Sequence, residues 1–462
     1  MHERNQPQRE LFDAYVRDFN TIGCVKEKWL KDLKAMDRIL DDNPKITVLV
    51  QADLNRHVKS SVGAKPKVTA EQALRLAVLK QLKRYSYRAL EEHVNNTPFY
   101  RQFTRFYGGA IPDFSVMERA IKQIRAETWE AINQVLVGYA VAKKVENGRR
   151  LRTDTTVIET DIAPPVDARL LSDGVRVLTR MMKGVRESRP ALVFPFASRT
   201  RRAKKRCYAI VMAKGKNVQQ RRTQWYRDLL QVVEEVLAMA RGCAEALRPL
   251  AGAGDIEAQG FLTEIEQCIG RCDKARQQCV RRVLQGEKVP AAEKIVSLFE
   301  EHTDIICRGK KQSPTEFGHK VLLTTGRSGL ITHYAVVRGN PGDDRLVAPM
   351  LDDHVRQFGH APAELTGDRR FYHAEAVAQE KGIERIALPK PGARNLLRRA
   401  LEKSRWFKRL LRFRAGIEGI ISTLMRAFGL KRCLWEGWPS FCSYVGLGVV
   451  TYNLRHLAWA LT

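Results

Sequence analysis

One β-branched stretch, RRLRTDTTVIETDI at residues 149–162, stands between two long helical regions. Its Thr, Val and Ile content predicts a strand, which Pro164 and Pro165 end. A lone strand is not stable and needs partners. The next clear strand patterns come only from Gly318 onward. The predicted sheet is therefore assembled across an interruption of about 150 residues, a domain's worth of chain.

The flanking regions define the rest. Residues 1–147 read as helical. Leu30, Leu33, Met36, Ile39 and Leu40 fall at helical spacing. Thr69 followed by Gln72 predicts a capping box ahead of AEQALRLAVLKQLKRYS. Tyr87–Val94 continues as a second helix, Gly108, Gly109 and Pro112 mark a break, and 114–140 is one or two more helices. Short helices with basic faces suit a helix-turn-helix DNA reader or a bundle that dimerises, and periodicity does not separate the two. Residues 167–317 are again helical with few strand signals, with Ser172 and Asp173 in N-cap-like positions, a long amphipathic helix through 219–247, and an antiparallel partner at 256–286. From 318, two strands joined at Gly326–Gly329 form a hairpin. A helix (345–358), a short strand ending at Asp368, a helix (372–382), a strand (384–390) and a helix (404–430) follow. The expected organisation is a helical DNA-binding or dimerising region (1–147), the first part of a core (148–166), a helical insertion (167–317), the remainder of the core (318–432) and a C-terminal helix (433–462).

Charge narrows the partners. Lys and Arg number 80 against 51 Asp and Glu, a formal charge of +29, which draws polyanions. Hydrophobic content of 44% fits a folded chain rather than a basic tail. No run approaches the roughly 20 apolar residues that span a bilayer, and the start, MHERNQPQRE, has no secretory apolar region. Nine cysteines in a chain this long do not make a disulfide scaffold. A cytoplasmic protein with nucleic acid as its partner, and no membrane, is the expectation. The densest basic run, Arg199–Arg206, holds Arg201, Arg202, Lys204 and Lys205 as candidate phosphate contacts.

Three acids stand out in this order: Asp154 on the first strand, Asp368 at the end of a later strand, and Glu418 on a helix some 50 residues further. The order strand, strand, strand, helix, strand, helix, strand, helix is that of an RNase H-like domain interrupted after its first strand. In-line cleavage of a phosphodiester needs charge stabilisation on both the attacking and the leaving oxygen. Two Mg²⁺ ions roughly 3.5–4 Å apart provide it, and a few hard carboxylates suffice to hold them. Around Glu418, the residues Ile417, Ile420, Ile421, Leu424 and Phe428 form one helical stripe. Glu418 borders it, with Arg414 one turn before and Ser422 one turn after. Gly416 and Gly419 flank it and leave room for close approach of backbone or DNA. Taken alone, Glu418 also reads as a surface glutamate on an amphipathic helix.

Several stretches resemble insertion-sequence DDE transposases, closest to the ISNCY group. They are LRTDTTVIETDIAPPVDARLLSDGVRVLTR, VVRGNPGDDRLVAPMLDDHVRQFGHAPAELTGDRRFYHAE and FRAGIEGIISTLMRAFGL. With the N-terminal helices the resemblance spans nearly the whole chain. It implies an α/β (α+β) fold: an RNase H-like catalytic core with a long helical insertion, preceded by an all-helical N-terminal region. It implies that Asp154, Asp368 and Glu418 are the three metal-binding, catalytic acids, with Mg²⁺ as the ion and Mn²⁺ as a substitute. Arg414 matches an arginine placed near transposon-end phosphates, and Arg369 and Arg426 join it as DNA contacts. The implied partners are double-stranded DNA, as terminal inverted repeats and as target, and further copies of the chain, at least a dimer, at the bacterial nucleoid. The sequence departs from the group's pattern at Ile420, Met425 and Arg370, where a basic residue, a lysine and a glycine are usual. A catalytically silent DNA-binding relic and a metal-dependent nuclease without strand transfer are the alternatives.

Other residues have plainer readings. Glu159 and Asp161 face opposite to Asp154 on a regular strand. Asp343, Asp344, Asp352 and Asp353 read as caps and solvated surface, and Asp173 as an N-cap. Cys268, Cys272 and Cys279 share a helix face without a zinc-ligand pattern and read as core. Trp225, Trp406 and Trp435 also read as core. Arg455–His456 resembles a recombinase pair, but Trp459 stands where a second arginine is needed.

Overall fold

The computed structural model describes residues 27–56, 66–307 and 315–462, with side chains from residue 31 onward in the first helix. The N-terminal ten residues and the Leu30 side chain lie outside the described set. The chain divides into two compact units. Residues 1–160 and 318–462 form one, and residues 161–317 form the other.

The first unit opens with seven described helices: α1 (Glu27–Asp42), α2 (Pro44–Asn55), α3 (Ala70–Lys83), α4 (Tyr87–Asn96), α5 (Pro98–Phe103), α6 (Phe114–Lys122) and α7 (Ala126–Ala142). The capping box forms as the sequence predicts. Gln72 N donates to Thr69 Oγ1 at 3.2 Å, and Thr69 N donates to Gln72 Oε1 at 2.9 Å. Helix α3 is buried almost all round, from Ala73 to Leu79, as befits a central helix. Arg75 in that run is 1% exposed and survives burial through Asp41 (2.8 Å), Glu71 (3.1 Å) and Asp37. Arg105 shares the same three carboxylates.

The sheet lies at the centre of this unit, except that its residues 304–307 and 315–317 belong to the second unit. Its strands are β1 (Arg150–Thr160), β2 (Asp304–Cys307), β3 (Thr315–Thr325), β4 (Ile331–Val337), β5 (Glu364–Thr366), β6 (Arg385–Ala387) and β7 (Arg432–Cys433). The hydrogen-bonded order is β2-β3-β1-β5-β6, with β4 also on β3 and β7 also on β1. The β1–β3 and β3–β4 pairs are antiparallel; β1–β5 and β5–β6 are parallel. The period of two sorts the faces. Leu151 and Leu322 join one core with Val347, Met350, Leu351 and Phe371. Ile158, Val321 and Leu323 face the larger core, which the N-terminal helices also fill.

The second unit packs α8 (Asp167–Ser188), α9 (Thr200–Met212), α10 (Val218–Gly252) and α11 (Ile256–Cys279) around a separate core. Helix α8 starts at least six residues earlier than its cap-like Ser172 and Asp173 suggest. Once Pro164 and Pro165 have passed, Asp167 takes the first turn and is held by Arg282 (2.9 Å) and Gln278 (2.8 Å). Asp173 therefore lies within the helix, paired with Arg176 at 3.0 Å rather than capping. Strand β2 and the first residues of β3, at 315–317, correct the reading of 167–317 as helical. Cys268, Cys272 and Cys279 are core residues.

Back in the first unit, helix α12 (Val347–Phe358), the short α13 (Glu375–Glu380) and α14 (Leu396–Lys403) connect the later strands, and α15 (Arg405–Ala427) packs on β1, β5 and β6. The unpredicted α14 has its own cap at Asn395. The final helix, α16 (Trp438–Ala460), is buried nearly throughout and packs on α1, α3 and α7. The N-terminal region and the C-terminal helix therefore share one core. Among the described residues, no helix is long and apolar enough to cross a membrane.

Candidate active site

Asp154 sits mid-strand on β1, opposite Leu323 of β3. Two residues earlier on the same face, Arg152 is buried and firmly held. Its Nε donates to Thr325 Oγ1 at 2.8 Å and its Nη1 to the Phe413 carbonyl of α15 at 2.8 Å, with the guanidinium 4.6 Å from the Phe413 ring centre. Gly416 makes this possible, because a Cβ there would lie 2.1 Å from Arg152 Nη1. The glycine thus admits an arginine from beneath. A Cβ at Gly419 would meet nothing within 4 Å, so the outer helix surface is open at that position. On the neighbouring strand, Glu364 takes Arg409 of α15 at 2.8 Å, together with Arg150 and Arg385. Burial pushes the Glu364 carboxyl up, but the three arginines outweigh it and hold it below its usual value. Helix α15 is therefore pinned to both β1 and β5.

That pinning sets Arg414 between two of the acids. Its Nη1 donates to Asp154 Oδ2 at 3.2 Å and its Nη2 to Glu418 Oε1 at 2.9 Å. An Arg four residues before a Glu is the weaker orientation for a helix pair. Here the Asp154 carboxylate provides the second anchor. Asp154 is mostly covered, at 15% exposure, whereas Glu418 is 64% exposed. Asp154 Oδ1 also accepts from Thr155 N at 2.8 Å.

Asp368 follows the parallel neighbour of β1. Arg152 is in register with Thr366, so Asp154 and Asp368 each lie two residues beyond the same paired position. Strand β5 ends at Thr366, and Asp368 Oδ1 caps the turn Arg369–Ala374 by accepting from Arg370 N at 2.8 Å. That backbone conformation does not require glycine, so Arg370 fits it. Among the described residues, no three His, Cys, Asp or Glu side chains are grouped closely enough to hold a metal ion together. The Asp154–Glu418 pair nevertheless suits a hard cation, because both carboxylates already share one cationic group.

The other expected residues are dispersed. Arg369 is exposed. Arg426 is exposed and donates to Ser422 at 2.9 Å. Ile420, where the resembling group has a basic residue, is 8% exposed and belongs to the core. In the second unit, Arg201, Lys204 and Lys205 are exposed on α9. Arg202 is tied to Asp228 and, at 3.5 Å, to Glu235. An open cavity of about 410 Å³ there is lined by Ser198 and five basic side chains, including Arg201, Arg202 and Lys205.

Two features escape the sequence reading. Asp343, expected at a solvated helix start, is buried. It takes Lys320 Nζ at 2.6 Å and Thr155 Oγ1 at 2.9 Å, which holds β1 from the face opposite Asp154. No local pattern marks that pair. The second is the segment Lys390–Arg414, with ten basic residues and one acid, Glu402. A charge count over a 25-residue window reveals it, whereas its basic residues never form the uninterrupted run that draws the eye at Arg199–Arg206.

Residues 27–123 match the family described as Transposase domain (DUF772). This match supports a DNA transposase. Residues 303–454 match the Transposase DDE domain, which supports, more particularly, a DDE transposase of the insertion-sequence kind. The second match covers Asp368, Arg414 and Glu418, whereas Asp154 lies outside both. No curated protein and no solved structure matches the chain.

Proposed function

We propose that the chain cleaves the ends of an insertion sequence and joins them to target DNA, with Asp154, Asp368 and Glu418 as the acids of an RNase H-like core. In this reading the chain is closest to the ISNCY group, and residues 167–317 are an insertion after the first core strand. The observation that carries it is the Arg414 bridge, which ties Glu418 to an aspartate 260 residues away from that arginine on the central strand. The antiparallel β1-β3-β4 and parallel β1-β5-β6 pairings support the core assignment.

The three acids would hold Mg²⁺ or Mn²⁺, which supplies a Lewis acid for the attacking water and for the leaving oxygen. The chain's own residues do the rest. Arg414 exchanges its carboxylates for a DNA phosphate, which accepts two parallel N–H donors equally well. Arg369 and Arg426 contact the backbone near the cut. Arg201, Arg202, Lys204 and Lys205 hold it further out. The freed 3′-hydroxyl then attacks target DNA at the same acids. A homo-oligomer, at least a dimer, belongs to this reading because two ends must be brought together.

The test incubates the purified protein with duplex DNA carrying the natural flanks of the coding sequence, in Mg²⁺ or Mn²⁺. Nicking at discrete flank positions, lost in Asp368→Ala and Glu418→Ala, is expected, as is a joined product with target DNA. Cleavage without joining identifies a nuclease. Tight flank binding with no cleavage in either metal identifies a silent relic.

A further inference from the structure

The short helix α14 is rigidly mounted yet exposes its most apolar residues. Asn395 caps it, with Arg398 N donating to Asn395 Oδ1 at 2.8 Å. The Arg398 guanidinium binds Glu375 at 2.8 Å, Glu402 at 2.9 Å and the Leu388 carbonyl, and lies 5.0 Å from the Tyr372 ring centre. That anchoring leaves Leu396 and Leu397 side by side on the first turn, each 81% exposed. They stand in a basic field. Arg399, Lys403, Arg405, Lys408 and Arg412 are exposed. None of these five forms an ion pair with a described residue, while the segment's one acid, Glu402, is taken by Arg398 and Arg394. On α15, Arg405, Lys408 and Arg412 recur at three- and four-residue spacing, so they form one stripe. Glu418 lies on the same helix, about 20 Å from Arg405 along the axis and roughly 110° round from that stripe.

We propose that Leu396 and Leu397 form an apolar wedge that enters the base stack of duplex DNA beside the cleavage site. Arg399, Lys403, Arg405, Lys408 and Arg412 seat the backbone of that duplex. This rests on the transposase reading above. Charge decides the occupant. A second copy of the chain would bring the same basic surface against itself, and like charges in contact are costly. A duplex brings phosphates to the basic stripe and base steps to the leucines. Apolar side chains inserted between base steps unstack them. The outward leucines carry none of the core, so their replacement leaves the fold intact.

The experiment uses the full-length protein, EDTA to prevent cleavage, and flank-derived duplexes with 2-aminopurine at successive positions. Wild type is expected to raise fluorescence at one or two adjacent positions. Leu396→Ala/Leu397→Ala should keep duplex affinity within about threefold and lose that rise. Arg399→Gln/Lys403→Gln/Lys408→Gln should lower the slope of log affinity against log salt by nearly 3, at about 0.9 per lost phosphate contact. An unchanged rise in the leucine variant, or an unchanged slope in the triple variant, overturns the proposal. So does a leucine variant that loses only self-association by light scattering, since that marks a protein interface. Failure of the wild type to bind any duplex overturns the transposase reading itself and is thereby distinct from the other outcomes.

Discussion

Replacing Arg414 with glutamine tests whether the acids beneath it form a cation site. Glutamine keeps a polar side chain but removes the positive charge that Asp154 and Glu418 share. In the DNA-free protein, an incoming Mn²⁺ has to displace two charge-assisted hydrogen bonds. The one to Glu418 is largely solvent-exposed and contributes a few tenths of a kcal/mol at most. The one to the mostly covered Asp154 contributes about 1–2 kcal/mol. Removing the competitor should therefore tighten Mn²⁺ binding by about 1–2 kcal/mol, a fivefold to thirtyfold fall in Kd. Calorimetric titration of DNA-free protein with Mn²⁺ reads this directly, and Asp154→Asn/Glu418→Gln subtracts binding elsewhere. DNA cleavage should move the opposite way and fall in Arg414→Gln, because the phosphate loses its bidentate partner. A variant that binds Mn²⁺ no better than wild type, or more weakly, would refute the shared-cation argument.

Arg75→Leu leaves the partly exposed Asp37, Asp41 and Glu71 to Arg105 alone and should cost about 1.5–3 kcal/mol in urea unfolding, the loss of charge-assisted hydrogen bonds with one counter-charge kept; a loss below about 0.5 kcal/mol contradicts the buried-cluster account. Asp343→Ala leaves Lys320 buried without its carboxylate and should cost roughly 3–5 kcal/mol. Adding Lys320→Met should recover much of that stability, and a double variant no better than the single would count against the pairing. His354 is buried on α12, and burial, reinforced by His360, pushes it down from 6.5 to about 4. The unfolded chain then takes up the proton first, so stability should fall as pH drops from 6.5 toward 4, by up to about 3 kcal/mol. His354→Gln should flatten that part of the stability–pH profile, and an unflattened profile assigns the loss to other groups.

What the sequence makes legible here is what a few neighbouring residues encode. The Thr69–Gln72 box, the Gly326–Gly329 hairpin turn and the long α10 helix depend on caps, turn residues and periodicity. Strand alternation likewise places Glu159 opposite Asp154, where the structure pairs it with Arg432 at 2.9 Å. Other features depend on distant chain. The Arg414–Asp154 contact, the Lys320–Asp343–Thr155 network and the fit of Gly416 over Arg152 exist only once β1, β3 and α15 are stacked. Local cues are also overridden. Ser172 and Asp173 are good cap residues, yet α8 starts at Asp167 because its carboxylate is secured by Arg282 and Gln278. Trp435 is buried, and Trp225 and Trp406 are partly buried against cores.

The most direct measurement of the three-acid claim maps where a divalent ion sits without knowing any DNA end. Fe²⁺ with ascorbate, bound in place of Mg²⁺, cuts nearby backbone through locally generated radicals, and the fragments are read by mass spectrometry. The account predicts cuts near residues 154, 368 and 418, suppressed by excess Mn²⁺ and lost in Glu418→Ala. Cuts confined to other segments, or a pattern that Mn²⁺ and Glu418→Ala leave unchanged, would contradict it.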